Sequence, residues 1–175
     1  MESSVAQFEQ LMLPHLDSAY RLARWLVRNE HDAQDQVQEA YLRAFRFFPQ
    51  FRGGDGRAWL LTIVRNVCFS WLRKHRIDDL AEPYDEELHV KEMVSSVDEH
   101  ARRDDAELLS QALEKMPALF REVIVLRELE GLSYKEIAAV AEVPIGTIMS
   151  RLARARRQLQ AEVARQLNPS SDHEL

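Results

Sequence analysis

Apolar positions recur at helical spacing through most of the chain, and no stretch shows the sustained alternation of a strand. Val5 to Leu13 predicts a short helix stopped by Pro14. Leu16, Ala19, Tyr20, Ala23, Leu26 and Val27 mark the inner stripe of a second. Asp32 is placed to cap a third, with Ala33, Val37, Ala40, Tyr41, Ala44 and Phe48 inward and Pro49 at its end. A flexible basic loop follows, Phe51-Arg-Gly-Gly-Asp-Gly-Arg57. A fourth helix then runs from about Ala58 to His75, its stripe including Trp59, Ile63, Val67 and Trp71, with Arg65, Asn66, Arg73 and Lys74 off it.

The pattern is sharpest between Leu132 and Arg151. Gly131 tolerates the left-handed backbone that ends a helix. Ser133 and Glu136 have the spacing of a capping box, so a helix starts there. Ile137, Ala138, Val140 and Ala141 form its short apolar face, and Ala138 is small where a second helix crosses. Val143 plugs the turn, and Pro144 suits the first turn of the next helix. Ile145, Ile148 and Leu152 then face inward. Thr147, Met149, Ser150, Arg151 and Arg154 lie outward, with Arg156 and Arg157 behind. Two helices, a tight turn and a basic outer face have the form of a helix-turn-helix, which lays its second helix in the DNA major groove. Arg can fork onto a guanine edge or hold phosphate.

Charge complicates that picture. The 175 residues carry a net charge of −6 and a pI near 5.6, whereas a free-standing DNA binder is usually basic. The acidic residues concentrate between the helical units, from Asp78 and Asp79 through Glu86 and Glu87 to Asp104 and Asp105. This stretch also contains Pro83 and lacks apolar periodicity, so it reads as a linker, mostly disordered or loosely helical. The predicted organisation is all-α, with two small helical domains. Residues 1–76 form the first, 77–104 the acidic flexible linker and 105–166 the second, and 167–175 a frayed tail.

Composition narrows the function. Hydrophobic residues make up 46% and charged residues 30%, as in ordinary soluble proteins. No apolar run approaches the ~20 residues of a membrane span, and the start of the chain lacks a signal-peptide pattern, so a cytoplasmic location is expected. The single cysteine, Cys68, excludes an internal disulfide and a Cys-based zinc site, and its place on an apolar helix side predicts a buried thiol. The six histidines show no metal-ligand spacing and no nucleophile motif occurs. No enzyme activity, cofactor or metal is therefore expected.

Two features of the first domain exceed what packing needs. The third helix exposes Asp35, Gln38, Glu39 and Arg43 beside Leu42, either a solvated face or a docking face for a basic partner helix. The loop and fourth helix combine Phe51, Arg52, Arg57, Trp59, Arg65 and Asn66. Rings that can stack beside cations suit single-stranded bases. For Trp59 a core role is an equal alternative, and Trp71 reads as core.

The run Asp32-Ala-Gln-Asp-Gln-Val-Gln-Glu-Ala-Tyr-Leu-Arg-Ala-Phe45 resembles conserved region 2 of bacterial RNA polymerase sigma factors of the extracytoplasmic-function type, in the sigma-70 family. Phe51-Arg-Gly-Gly, Ala58-Trp-Leu and Val64-Arg-Asn-Val extend the match, and Leu132 to Arg157 resembles their region 4. The resemblance implies a sigma-2 helical bundle and a sigma-4 helix-turn-helix. It implies that Asp35, Gln38, Glu39 and Leu42 bind the clamp helices of the polymerase largest subunit. Phe51, Arg52, Arg57, Trp59, Arg65 and Asn66 would hold the non-template strand of the −10 element, with a base flipped into a pocket. Thr147, Ser150, Arg151, Arg154 and Arg157 would read the −35 element. Core RNA polymerase, promoter DNA and an anti-sigma factor are the implied partners. The anti-sigma factor is often membrane-bound in this family, so sequestration at the inner membrane is part of the expectation.

Two departures stand out. Many members have Gly where Glu142 sits, and a non-Gly residue costs about 1 kcal/mol there if the backbone is left-handed. Met149 stands where many carry Lys or Arg. The competing reading is a stand-alone helix-turn-helix regulator with a helical sensor or dimerisation domain, which needs neither the Asp32–Phe45 face nor the aromatic-basic loop.

Overall fold

The computed structural model describes residues 2–75 and 99–168. All regular elements among them are helices. In chain order these are α1 (Glu2–Met12), α2 (Leu16–Val27), α3 (Glu30–Phe47), α4 (Gly56–Lys74), α5 (Glu99–Lys115), α6 (Ala118–Ile124), α7 (Tyr134–Ala141) and α8 (Ile145–Leu167). Short 3-10 turns at Leu13–His15 and Phe48–Gln50 carry Pro14 and Pro49, where proline's missing N–H interrupts the helical ladder. The proposed linker lies mostly outside the described residues, as does the tail beyond Asn168; α5 begins within the stretch assigned to the linker.

In the first unit α2, α3 and α4 pack pairwise, and α1 lies against α4. The third helix starts earlier than its acidic residues suggest. Asn29, not Asp32, is the cap, and its side chain accepts from the Asp32 N–H at 3.0 Å. Asp32 sits in the first turn, where a carboxylate favours the positive end of the helix dipole. The α3 stripe is otherwise as expected: Ala33, Val37, Ala40, Ala44 and Phe48 are buried. Tyr41 is half-buried and donates its hydroxyl to the Met12 carbonyl at 2.8 Å, and burial, then Asp17, push its pKa up to about 12.

The buried face of α4 is wider than the predicted stripe and rotated from it. Leu60, Leu61, Val64, Val67, Cys68 and Leu72 are buried, whereas Trp59, Ile63 and Trp71 are only half-buried. The reason is tertiary: α1, α2, α3 and α7 all pack on α4, so more than one face faces protein. Cys68 is fully enclosed, and burial, then the Glu122 charge, raise its thiol pKa to about 12. A neutral thiol is a poor nucleophile.

In the second unit α5, α6 and α7 pack on α8. α6 runs on into a π-helical segment, Val125–Leu129, before Gly131 turns the chain at φ 68°. The two units are not separate beads. α2 packs on α6 and α4 on α7, and the buried apolar side chains of both units form one connected cluster.

Candidate nucleic-acid interface

The helix-turn-helix is built as its sequence dictates. Ser133 accepts from the Glu136 N–H at 3.2 Å, and Glu136 accepts from the Ser133 N–H at 2.6 Å, completing the capping box. Ile137, Ala138, Val140 and Ala141 are buried where α7 packs on α8 and on α4, and Ile148 and Leu152 of α8 are also buried. Glu142 ends α7 in the left-handed region at φ 57°, so the non-Gly residue carries the backbone penalty anticipated for it. Pro144 is the cap residue of α8 rather than its first turn. Ile145 is not inward: it is 48% exposed, because the inward register begins at Ile148. Ser150 and Arg157 are exposed and Thr147 is half-buried at the start of α8. Arg154 lies over the Phe120 ring at 5.8 Å, and Arg156 donates to Glu128 at 2.7 Å.

The basic loop and α4 form a second cluster. Gly53 and Gly54 adopt φ 85° and 92° with open space around them, so this turn is shaped by backbone freedom rather than close packing. Asp55 caps α4 by accepting from the Ala58 N–H at 3.1 Å. Phe51 stacks on Phe48 at 5.9 Å and tilts against Trp59 at 5.0 Å; Trp59 packs on the core and is half-buried. Arg52 is exposed beside them, and Asn66 lies next to Arg65. Trp71 stacks on His75 at the far end of α4.

Arg57 and Arg65 point elsewhere. Arg57 Nη2 donates to the Glu130 carboxylate at 2.8 Å, and Arg21 Nη1 meets the other Glu130 oxygen at 2.5 Å. Arg65 Nε donates to Glu122 at 2.6 Å, with its guanidinium carbon 4.2 Å from the Phe69 ring centre. Both carboxylates belong to the second unit. Behind them Arg121 is fully buried. It donates to the carbonyls of Trp25 at 2.7 Å and Leu26 at 3.0 Å in the last turn of α2, and to that of Met116. Arg28, left-handed at φ 62° where α2 ends, donates to Met116 as well, at 2.8 Å.

Motif spacing does not single out these residues. A signal is nonetheless present: Arg121 and Glu122 are charges inside the apolar run Ala118-Leu-Phe-Arg-Glu-Val-Ile-Val-Leu126. Charges in such a run are buried only when paired.

The two carboxylates titrate in opposite directions. Burial raises the Glu122 carboxyl, and the Arg65 and Arg151 guanidinium groups only partly oppose it. Burial also acts to raise Glu130, but hydrogen bonds from Ser18, Arg57 and Arg21 outweigh it and leave that carboxyl below its usual value. The stability Glu130 contributes is thus present above the ~4.3 of a free Glu and lost as pH falls through the depressed value. The thermal midpoint of Glu130→Gln should lie below that of the unaltered protein at neutral pH, and the gap should close in acid. A gap independent of pH would contradict the assigned pairing.

On α3, Asp35, Gln38 and Leu42 are exposed, Leu42 at 60%, and Glu39 holds Arg43 at 2.7 Å. Leu16, expected inward, is instead exposed. With Leu13, Tyr20, Val37 and Gln38 it lines a groove between the α1–α2 corner and α3. The face is therefore mixed apolar and acidic, and exposed. Among the described residues no helix is long and apolar enough to cross a membrane.

Helical units carrying a helix-turn-helix, an aromatic-basic loop and an acidic-apolar helix face define a DNA-binding protein of transcription. The Sigma-70 region 2 family model matches residues 11–77 and the Sigma-70, region 4 model residues 106–159. The chain belongs to the sigma-70 family, among the extracytoplasmic-function RNA polymerase sigma factors. It is 35% identical over 167 residues to the ECF RNA polymerase sigma factor SigE of Mycolicibacterium smegmatis, covering 94% of this chain and 64% of that protein's length. It is 33% identical over 141 residues to the ECF RNA polymerase sigma-E factor of Escherichia coli K12, covering 75% of this chain and 74% of that protein. Among solved structures, it resembles the sigma factor RpoE of Bartonella quintana, crystallised with the anti-sigma factor NepR. That match has a TM-score of 0.68 and 31% identity, covering 90% of this chain and 97% of that one.

Proposed function

We propose that this chain joins core RNA polymerase and directs it to promoters by contacts at two DNA elements. The α3 face of Asp35, Gln38, Glu39 and Leu42 docks on the clamp helices of the largest subunit, its carboxylates meeting basic residues and its leucine an apolar one. Phe51, Arg52, Arg57, Trp59, Arg65 and Asn66 hold the opened non-template strand at the −10 element. Thr147, Ser150, Arg151, Arg154 and Arg157 of α8 bind the −35 duplex. The polymerase makes and breaks the bonds; the sigma chain supplies position and strand opening.

The observation that carries this reading is the presence, in one chain, of a capped helix-turn-helix and a separate helix with a mixed acidic-apolar outer face. A lone operator-binding module has no use for the second. The net charge of −6 agrees, because a holoenzyme draws much of its DNA grip from the polymerase. An anti-sigma factor is the expected regulator, as in the related Bartonella complex. The working location is the cytoplasm, with retention at the inner membrane when that regulator is membrane-bound.

Two sets of variants separate the roles. Asp35→Ala with Glu39→Ala should weaken core binding while leaving the helical circular dichroism unchanged. Arg151→Ala should spare core binding and weaken promoter selection by ~1–3 kcal/mol if it makes a forked base contact. Competition transcription between matched and mutated −35 templates reads the second effect, and unchanged selectivity would remove Arg151 from the site.

A further inference from the structure

We propose that Ile145 and Met149 read thymine methyl groups in the duplex that α8 binds, so that base selection at the start of this helix is apolar. This rests on the sigma reading for the placement of α8 at the −35 element. It adds to that site a contact whose chemistry differs from that of its arginines.

Exposure carries it. Ile145 is 48% exposed and Met149 54%. They are four residues apart in α8, so their side chains are neighbours on one side of the helix. The other exposed positions between Ile145 and Arg154 are Gly146, Ser150 and Ala153. At 3.6 residues per turn these three run along the middle of the open face, with Ile145 and Met149 on one flank and Thr147, Arg151 and Arg154 on the other. The second flank is turned toward the protein. All three of its residues are half-buried, Arg154 lies over the Phe120 ring at 5.8 Å, and Arg151 lies in the field of Glu122. The part of the early helix that a groove would meet first is therefore mainly apolar or bare.

That surface has a matching partner in DNA. A recognition helix presents its N-terminal residues to base edges. Thymine alone places a methyl group in the major groove, and apolar contact is how it is read. Ile145 offers a branched hydrocarbon, and Met149 a flexible thioether chain that can follow the methyl position. Single exposed apolar residues are ordinary, but Gly146 supplies an independent observation. Its backbone is outside the left-handed region, and an added Cβ would meet nothing within 4 Å. The fold thus has no need of glycine there, and glycine weakens a helix. What it provides is a bare main chain, which can approach a ligand closely. Such an approach would carry Ile145 and Met149 down to the base edges.

The test uses the reconstituted holoenzyme. Duplexes enriched from a randomised −35 library give the preferred element. Each thymine in it is then replaced by deoxyuridine, which differs only in lacking the methyl group. The unaltered holoenzyme should lose about fourfold in affinity at one or more of these positions, the effect of one methyl-sized group taken from water. Ile145→Ala with Met149→Ala should bind the thymine duplex about as weakly as the unaltered protein binds the deoxyuridine one, and should not distinguish the two. Ile145→Val with Met149→Leu, close in volume, should keep the difference. Both side chains are exposed, so neither pair of substitutions opens a core cavity, and the helical circular dichroism should be unchanged.

A preferred element without thymine would overturn the apolar reading, as would deoxyuridine accepted everywhere without loss. An alanine variant that still tells thymine from deoxyuridine would remove these two residues from the role. Those results leave the sigma reading standing, because the holoenzyme has still selected a duplex. Selection no better than that of core polymerase alone would overturn the sigma reading, and this assignment with it.

Discussion

Arg121→Met should cost about 3–5 kcal/mol of folding stability, far more than a surface substitution, although methionine fills much of the same space. The guanidinium is wholly buried and donates to three carbonyls, two of them in the last turn of α2. Helix-terminal carbonyls lack partners within their own helix and carry the negative end of its dipole. Removing the cation leaves them dry and unpaired at ~1–3 kcal/mol each, partly relieved by movement or entering water. Because the bonds bridge the units, the loss should appear as weakened coupling as well as a lower midpoint. Urea unfolding followed by circular dichroism, which reads both units, and by tryptophan fluorescence, from Trp25, Trp59 and Trp71 of the first unit, should give coincident transitions in the unaltered protein and separated ones in the variant. A loss under about 1 kcal/mol with transitions still coincident would show that the arginine is not the fastener.

Ile148→Ala should cost about 2–5 kcal/mol and disable the DNA-reading end of the chain. Ile148 is fully buried in α8 where α7 crosses, so it helps set the angle between the two helices of the motif. A cavity there lets α8 tilt, and Ser150, Arg151 and Arg154 lose a common register on the groove. Ile148→Val removes one methylene and should cost only about 0.5–1.5 kcal/mol. Thermal unfolding of both variants, beside promoter binding by the reconstituted holoenzyme, separates packing from contact. Full promoter binding by a stably folded Ile148→Ala protein would contradict the role given to this contact.

Local rules are the most legible part of this sequence. The capping box at Ser133 and Glu136, the left-handed position at Glu142 and the apolar face of α7 depend on residues within a few positions of each other. They can be read without knowing the fold. Expectation and structure part where tertiary contacts decide. Spacing places Leu16 inward, but the corner at Pro14 turns it into an open groove with Leu13. Spacing likewise gives Trp59 and Ile63 the α4 core face, but α1, α2, α3 and α7 all pack on this helix, and Leu60 and Leu61 are the residues enclosed. Asp32 and Asn29 are both good caps, and only the helix start chooses between them.

The candidate site is legible as a set of residue types and illegible as a set of partners. Phe51 and Trp59 do come together at the start of α4, with Arg52 exposed next to Phe51 in the chain. Arg57 and Arg65 share that helix but are claimed by carboxylates 73 and 57 residues away in sequence. No periodicity reports a pairing of that range. The hint lies in Arg121 and Glu122, two charges where an apolar helix should have none.

We propose that this chain acts as a dissociable initiation subunit rather than an operator-binding regulator. Run-off transcription tests it most directly, with purified core polymerase, the full chain and templates bearing promoters selected by the reconstituted holoenzyme. A discrete transcript is expected only when chain and core are both present, reduced by Asp35→Ala with Glu39→Ala and by mutation of either promoter element. Tight binding of the chain alone to duplex DNA, with no transcript gained on adding core, would contradict it.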